Sequence, residues 1–587
     1  MADALGTRFT EENQQLPPSM LEADIRYLVI PTFTAEDRRD LQRSLEPAVR
    51  ALQLFGGGAA AATIVVFLLG ALRVAKRLED DARTWLHLGA TKSQRTLGVA
   101  LPLAAAGAAG LTGSALLGWA ASGLGPIASA RPLEPAGRLG LSAPLLLVVL
   151  GASSALLAAG VLLAAVGVTR ARPQLLTKPT SRPVQLIGRL ARPSMALGVR
   201  AALTSAGARV SLAASVAAVA AVLATSVFTT SLSAFVSSPS RFGWPYDAAV
   251  IVGFGYGGAD EAAIATTLDR PEVKSWGLAS MSTDSAINGT PVPFVAGRRS
   301  FGDLPLPVIE GALPVADEIA VGALTAKRLG IGVGDRADVT TPYGNRQATV
   351  SGLVVLPSVG PFEADRVSLG VGALLSEQFL GAIFQEAERA GEMAPGTLAG
   401  PASSFVVIDL DDQTDSAKFL ASIGDQLASW DVNGFKPFVY PEPVRPAPVA
   451  DVASMRAVPV ALTGVFALAM VIGLGLGIAA ATRARRRELG ILRALGCVGG
   501  QLRASVQWHA LTIVAVGLAV GLPLGVSVGR VAYRKFAGGL GFFPEPLVSL
   551  PWTLLSIVAA VGLGLVAVAA PARRAARSTV TVALRYE

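Results

Sequence analysis

Cysteine, histidine and charge are all scarce in this sequence of 587 residues, which has one cysteine, Cys497, and two histidines. A single cysteine excludes an intrachain disulfide, and two distant histidines exclude a Cys/His metal cluster and disfavour a histidine-based catalytic triad. Charged residues make up 16% of the chain, whereas soluble domains are about one-quarter charged. The composition therefore predicts no metal centre, and no motif calls for another cofactor.

Hydrophobic residues make up 52% of the chain and give a mean hydropathy of +0.52. They are concentrated in runs without acidic residues that are long enough to cross a bilayer as helices, which takes about 17 to 25 residues. The seven predicted spans are 52–72, 98–122, 143–168, 211–235, 458–481, 510–531 and 554–570. The chain is therefore predicted to be a polytopic α-helical membrane protein.

Arginine and lysine set the predicted orientation. The loops on one side carry most of the loop arginines, including Arg485, Arg486 and Arg487, whereas the short loops on the other side carry few. Because basic loops stay in the cytoplasm, the C-terminus is predicted inside and, with seven spans, the N-terminus outside. The net charge of +8 follows these loops, so it indicates membrane topology and not a nucleic-acid partner.

An internal repeat relates residues that lie 407 positions apart. Leu88, Gly89 and Gln94 correspond to Leu495, Gly496 and Gln501. In the helix that follows, a small residue recurs at every fourth position of both copies: Gly110, Ser114, Gly118 and Ser122 in the first, and Gly517, Gly521, Gly525 and Gly529 in the second. Such a stripe lets another helix approach closely, so we predict helix packing at all eight positions.

The repeat also divides the chain into segments. We predict three-helix membrane units at 52–172 and 456–577, a cytoplasmic linker at 173–210, a further span at 211–235, an extracytoplasmic domain at 236–455 and a cytoplasmic tail at 578–587. A span and a domain should also precede the first unit. We therefore hypothesise that residues 1–51 are the remnant of such a domain and that the chain is N-terminally incomplete. An upstream reading frame without a hydrophobic segment would contradict this hypothesis.

The predicted extracytoplasmic domain is less hydrophobic than the rest. Short β-rich runs, such as RADVTT and SSFVVIDL, alternate with stretches of helical character, such as DEIAVGALTAKRLG, and this order predicts an α+β domain. Gly253, Gly255 and Gly258 match the G-x-G-x-x-G pattern of dinucleotide sites. No acidic residue follows at the end of a second strand, so we favour a glycine-rich turn.

These motifs together resemble one family. The residues that carry the resemblance are RRRELGILRALGC (485–497) with the following GQL, the glycine-striped helix, the segment 308–340 and the tail PARRAARSTVTVALRYE. They are similar to the FtsX-like, MacB-type permease subunits of ABC transporters, in the duplicated ten-span form. The resemblance implies a domain of the MacB periplasmic-core type and a non-enzymatic, multi-pass subunit of the cell membrane. It also implies a separate cytoplasmic ABC ATPase, in two copies per duplicated permease.

The sequence agrees that ATP hydrolysis must come from a partner, because it contains no Walker A motif. The nearest stretch, GATKS (89–93), lacks the first glycine and the G-K-[ST] ending.

The motif at 485–497 is predicted to be more than a stop-transfer cluster. On a continuous helix over 488–502, one side carries an apolar stripe of Leu492, Leu495, Val498 and Leu502, and Glu488 lies near the positive end of the helix dipole. By the resemblance, this helix docks on the ATPase. Its coupling residues are Arg487, Glu488, Ile491, Leu492, Leu495 and Gly496, with Trp85, Leu88 and Gly89 in the first copy. The alternative is an amphipathic helix that lies on lipid.

The two copies are predicted to couple unequally, because Thr91 and Arg95 replace Val498 and Leu502 in the first copy.

Three functions stay open at this point. The first is a permease that exports or extracts a hydrophobic or amphiphilic substrate, such as a lipid, lipoprotein or peptide, since the spans carry no acidic residues for an ion or sugar path. The second is a mechanotransmission scaffold that regulates a cell-wall hydrolase or a sensor without transport. The third is a remnant without function, in view of the missing segment.

Overall fold

The computed structural model of the chain describes residues 88–122, 150–162, 193–204, 208–255, 258, 260–282, 285–298, 306–360, 366–391, 404–432, 434–454, 459–468 and 491–577. The chain divides into two compact units, Met1–Glu46 and Pro47–Glu587, and every described residue belongs to the second. The expectations for residues 1–51, for the span at 52–72 and for the tail at 578–587 fall outside the described residues.

The helices of the described part are, in chain order, α1 (Lys92–Ser122), α2 (Leu150–Leu162), α3 (Pro193–Thr204), α4 (Ala208–Ser237), α5 (Glu261–Leu268), α6 (Ala323–Leu329), α7 (Glu377–Ala390), α8 (Ser416–Ser422), α9 (Gly424–Leu427), α10 (Ala447–Ser454), α11 (Pro459–Leu468), α12 (Gly499–Leu540) and α13 (Leu550–Arg577). Among them α1, α4 and α12 are long and apolar enough to cross a membrane, and α2, α11 and most of α13 are shorter apolar helices. Each of these six overlaps a span predicted from the sequence.

The helix α12 is 42 residues long, about twice its predicted span. Pro523 does not end it, although proline removes one backbone hydrogen bond, a loss that membrane helices tolerate. The helix ends at Gly541, whose φ of +69° closes the last turn, and the N–H of Phe542 donates to the carbonyl of Ala537 at 2.9 Å. The last turns of α12 therefore continue beyond the predicted span.

The strands of the described part are β1 (Ala248–Ile251), β2 (Val273–Ser282), β3 (Ala286–Ile287), β4 (Thr290–Pro291), β5 (Phe294–Arg298), β6 (Val308–Gly311), β7 (Glu318–Gly322), β8 (Arg336–Thr341), β9 (Gly344–Val354), β10 (Leu356–Val359), β11 (Val367–Leu369), β12 (Ala373–Leu375), β13 (Phe405–Leu410) and β14 (Phe438–Tyr440). Twelve of them form one mixed sheet in the order β14-β1-β13-β2-β5-β12-β7-β9-β8-β3-β4, with β6 paired to β9; β10 and β11 pair separately. We call residues 239–454 the sheet domain. Its strands and helices agree with the α+β class predicted from the sequence.

The two faces of the sheet bury different partners, as the alternation of side chains along a strand requires. In β13, Val406 and Ile408 face a core shared with α5, α8 and α9, whereas Phe405 and Val407 face the opposite core. That opposite core contains the last turns of α4 and α12, including Phe235 and Phe536. One face of the sheet therefore rests on the ends of two membrane helices.

The structure differs from the sequence-based prediction in two segments and agrees with it in a third. The stretch 317–330, read as helical, splits into strand β7 and helix α6, because Ile319, Ala320 and Val321 form a buried run in the middle of the sheet. The region predicted as a linker at 173–210 contains the helix α3. The glycine-rich stretch forms a short 3-10 turn at Gly253–Gly255, as a turn was predicted, and α5 begins after the N-cap Asp260.

Candidate functional site

The motif before α12 folds as a short helical turn followed by a bend. Residues 491–494 are helical, and the turn closes at Gly496, whose φ is +96°. Glycine suits this left-handed conformation because it has no Cβ. The N–H of Gly496 donates to the carbonyl of Arg493 at 3.1 Å. The continuous helix predicted over 488–502 is therefore wrong, since the chain bends here and α12 starts anew at Gly499.

The bend divides the predicted apolar stripe between two environments. Leu502 is 2% exposed, and Leu492 packs against the same core of membrane helices. Leu495, in contrast, is 76% exposed and Val498 is 62% exposed, and Ile491 is exposed as well. We call Ile491, Leu495 and Val498 the docking patch. A contiguous apolar patch of this kind is typical of an interaction surface.

The first copy has the same local structure, 407 residues earlier. Leu88 is 79% exposed, Gly89 has φ +82°, and α1 starts at Lys92. The side chain of Gln94 accepts from the N–H of Thr91 at 2.9 Å, while the N–H of Gln94 donates to Thr91 Oγ1 at 3.3 Å. This reciprocal arrangement caps the first turn of α1.

At the second copy, Gln501 accepts from the N–H of Val498 at 3.2 Å, so the backbone half of the cap is kept. The predicted coupling residues Trp85, Arg487 and Glu488 lie outside the described residues.

The second glycine stripe lies directly against α4. A Cβ added to Gly517, Gly521, Gly525 or Gly529 would approach an atom of α4 to less than 3.0 Å. The atoms met include the backbone carbonyls of α4, which cannot move aside as a side chain can: those of Val216, Ala220 and Ala224. Gly521, Gly525 and Gly529 thus permit a helix contact closer than a residue with a Cβ would allow, whereas Gly517 lies against the Ser215 side chain.

The register of this contact is constant along the helices. Gly517 meets Ser215, Gly521 meets Val219, Gly525 meets Leu223 and Gly529 meets Val227, and each pair is 302 residues apart. Because this difference is constant over 12 residues, which is about three turns, α4 and α12 run parallel and side by side. Toward the sheet domain the contact continues as an edge-to-face pair of Phe228 and Phe536 rings at 5.4 Å.

The first stripe differs. No atom lies within 4 Å of a Cβ added to Gly110 or Gly118, and the Ser114 hydroxyl donates to the carbonyl of Leu111 in its own helix at 2.8 Å. Ser122 is the last residue of α1. The predicted packing on this stripe therefore has no partner in the part of the chain that the structure describes, which contains no equivalent of α4 beside α1.

Helix α3 braces the first turns of α12. A Cβ on Gly198 would meet the carbonyl of Ser505, Cβ of Trp508 and the backbone nitrogen of His509, all at less than 3.0 Å. His509 is consequently buried, although it stands near the start of the helix. The end of α12 next to the docking patch therefore packs against α3 at Gly198, in addition to the contact of α12 with α4.

A glycine pair joins the far end of α12 to the sheet domain. A Cβ on Gly541 would lie 2.6 Å from Cα of Gly370, which belongs to the loop between β11 and β12. The carbonyl of Gly370 in turn accepts from the N–H groups of Leu324 and Thr325, at 2.9 and 3.1 Å, in the first turn of α6. The end of α12 therefore presses on a loop that is fixed by the domain.

Further contacts tie α4 and the loop 541–549 together. The N–H of Leu547 donates to the buried Ser231 hydroxyl at 3.0 Å. The Arg241 guanidinium donates to the carbonyl of Glu545 at 3.3 Å and stacks over the Phe543 ring, 5.7 Å from its centroid. Sequence reasoning missed these residues and the pair Gly370–Gly541, because all of them act over long sequence separations.

The core beneath the sheet contains an unusual phenol. The Tyr246 side chain is buried, burial raises its pKa well above the ordinary value, and its hydroxyl has no hydrogen-bond partner among the described residues. Replacing Tyr246 with Phe is therefore expected to keep or raise the thermal unfolding midpoint, because an unsatisfied buried hydroxyl costs about 1–3 kcal/mol. Tyr533→Phe is the control: its hydroxyl donates to the carbonyl of Phe543 at 3.2 Å, so its loss should lower the midpoint. A lower midpoint for Tyr246→Phe than for Tyr533→Phe would contradict this view.

Among the described residues, no group of three His, Cys, Asp or Glu side chains is arranged to hold a metal ion.

Comparison with family models matches residues 460–580 to the FtsX-like permease C-terminal family. The match covers nearly all of α11, the docking patch, α12 and α13, and does not extend to the sheet domain or to the first membrane unit. Comparison with curated proteins gives no match.

Proposed function

We propose that the chain is a non-enzymatic permease subunit of an ABC transporter, and that it converts ATP hydrolysis by a separate cytoplasmic ATPase into motion of the sheet domain. The match of residues 460–580 to the FtsX-like permease C-terminal family supports this proposal. The motion exports or extracts a hydrophobic or amphiphilic substrate. The docking patch receives the ATPase, Leu492 and Gly496 shape the turn that presents the patch, and Arg487 and Glu488 orient the contact.

The observation that carries this proposal is the continuity of α12. At 1.5 Å per residue, its 42 residues form a rod of about 63 Å. One end begins three residues after the bend at Gly496, and the other contributes Tyr533, Phe536 and Leu540 to the core beneath the sheet. A displacement at the docking patch therefore reaches the sheet domain through one rigid element. The glycine contact makes α4 move with α12.

The membrane arrangement belongs to the same proposal. Seven spans in the cell membrane would place the docking patch in the cytoplasm, the sheet domain outside and the N-terminus outside. The arginine-rich loop before the docking patch supports this orientation. Leu88 and Gly89, with Trp85, would form a second and weaker ATPase contact, which suits two ATPase copies. The sheet domain would then act as a periplasmic core of the MacB type.

The test is the ATPase activity of the permease and its ATPase reconstituted together. We expect Leu495→Asp to remove the stimulation of hydrolysis by the permease, because a charge cannot be buried in an apolar contact without a partner. Leu203→Asp, at an exposed leucine of α3, is the matched control and should retain stimulation. Leu88→Asp should have a smaller effect than Leu495→Asp. Full stimulation by the Leu495→Asp protein would refute coupling through this patch.

A second candidate is a mechanotransmission scaffold that moves a cell-wall hydrolase or sensor and transports nothing. The same rod supports it, since the contact of α12 with the sheet domain requires no substrate path. Purification of the chain in its native membrane separates the two functions: bound lipid or lipoprotein favours transport, and a bound hydrolase favours the scaffold.

A further inference from the structure

An apolar cavity of about 210 Å³ lies among four membrane helices, away from the docking patch. Its walls come from α4, α11, α12 and α13. The residues that the argument uses are Leu223, Thr463, Ala467, Leu518, Trp552 and Ser556. A dry apolar cavity of about 150 Å³ in a soluble protein already binds a benzene-sized molecule. This cavity is thus large enough for part of a hydrocarbon ligand.

The lining is almost entirely apolar. None of the lining residues is charged. Of its three hydroxyls, two are satisfied within their own helices: that of Thr463 donates to the carbonyl of Pro459 at 2.8 Å, and that of Ser556 to the carbonyl of Trp552 at 2.8 Å. The third belongs to Ser226. A charged ligand, or one with many hydrogen-bonding groups, would lose most of its hydration there without compensation, whereas a hydrocarbon has none to lose.

The lining of the cavity extends along α13, as an alkyl chain would require. It follows α13 from Trp552, in the first turn, to Ala560, eight residues or about 12 Å further along the axis. Trp552 stands at the end of the helix nearest the sheet domain, and tryptophan is the residue preferred where a membrane helix meets the headgroups. An occupant entering beside Trp552 therefore has its polar end at the headgroup level and its apolar part inside.

We propose that this cavity holds one alkyl chain of a lipid or of a lipidated substrate, which names the substrate class of the proposed function and rests on it. The α4–α12 pair, fixed by its glycines, forms one wall, and α11 and α13 form the other. Movement between these two walls changes the room for the chain while the α4–α12 contact stays intact. The polar remainder of the ligand lies beside the sheet domain.

The test is photolabelling of the full-length chain in phosphatidylglycerol nanodiscs, without ATPase and without ATP. One probe is a phosphatidylglycerol with a diazirine in its acyl chain, and the other is a palmitoylated peptide with the same diazirine in its palmitoyl chain. We expect both probes to label residues of α4 and α13 that line the cavity. Ala467→Phe and Ser556→Leu fill the cavity from two different helices, α11 and α13. Each should reduce this labelling roughly tenfold, because the remaining contacts no longer offset the entropy lost when the alkyl chain is ordered.

The matched control is Val558→Phe, at a side chain that is 67% exposed on the lipid-facing side of α13. Labelling of the cavity should persist in this variant. Displacement of the lipid probe by unlabelled palmitoylated peptide identifies a lipidated substrate as the source of the chain. Resistance to displacement identifies a bilayer lipid. Labelling spread evenly over lipid-facing residues and unchanged by both filling variants would overturn the proposal. Because neither ATP nor the ATPase is present, this outcome is independent of the result with Leu495→Asp.

Discussion

Replacing Gly525 with leucine is expected to separate α4 from α12 and to abolish both the stable fold of the membrane region and the stimulation of the ATPase. A Cβ at this position would lie 2.7 Å from the carbonyl oxygen and 2.9 Å from Cα of Ala220. Excess volume in a packed core costs about 1–3 kcal/mol when side chains can adjust. The cost should be larger here because the obstructing atoms belong to the backbone of α4.

The effect can be measured as the thermal unfolding midpoint and as monodispersity of the detergent-purified protein on gel filtration. Gly538→Leu is the matched control, because it lies on the same helix and a Cβ there would meet nothing within 4 Å. It should resemble the wild-type protein. Equal behaviour of the two variants would show that the stripe does not hold the helices together. Gly521→Leu provides a second variant of the same contact.

Replacing Gly541 with alanine is expected to disconnect the sheet domain from α12 while the ATPase still binds. Alanine at the φ of +69° costs about 1–2 kcal/mol by itself. Its Cβ would in addition lie 2.6 Å from Cα of Gly370, so the helix end must move away from the loop. Gly330→Ala separates the two effects, because Gly330 has φ +68° at the end of α6 and open space around it.

The measurement is the distance between spin labels on α12 and on the sheet domain, with and without ATP and the ATPase. The labels are attached to cysteines introduced by Arg534→Cys on α12 and Lys418→Cys on the sheet domain. Cys497→Ser removes the single native thiol. Wild-type and Gly330→Ala proteins should show a nucleotide-dependent change in distance distribution, and the Gly541→Ala protein a broad distribution without that change. If Gly541→Ala and Gly330→Ala give the same distances, the glycine pair does not transmit motion.

The bend at Gly496 could have been predicted from the sequence. A glycine after a helical turn with Arg493 in its last positions is a regular helix-termination signal, and the same signal recurs at Gly89. The apolar spacing of Leu492, Leu495 and Val498 competes with it, since that spacing also fits an uninterrupted helix. The left-handed conformation of Gly496 ends the helical turn. For that reason the docking patch contains only part of the predicted stripe.

The extension of α12 could not be predicted, because it depends on contacts between distant parts of the chain. Periodicity identifies the apolar span, but the last turns are stabilised by Phe228 of α4 and by Phe542 after the helix. The glycine stripe was visible in the sequence for the same reason that it packs: its positions repeat every four residues. The helix that packs on the stripe could not be identified from the sequence, since the α4 residues that contact the glycines lie 302 positions earlier.

The spacing of the glycines also limits how α4 and α12 slide along each other. A shift by one residue would bring Leu518 and Leu522 against the backbone of α4, and a shift by three residues would bring Val520 and Leu524 there. A shift by two would place Ala519 and Pro523 at this contact. A shift by four residues, about 6 Å, places each glycine where its neighbour stood. The two helices can therefore change their register only in steps of four residues. Smaller displacements of α12 along α4 are opposed by collisions between side chains and backbone.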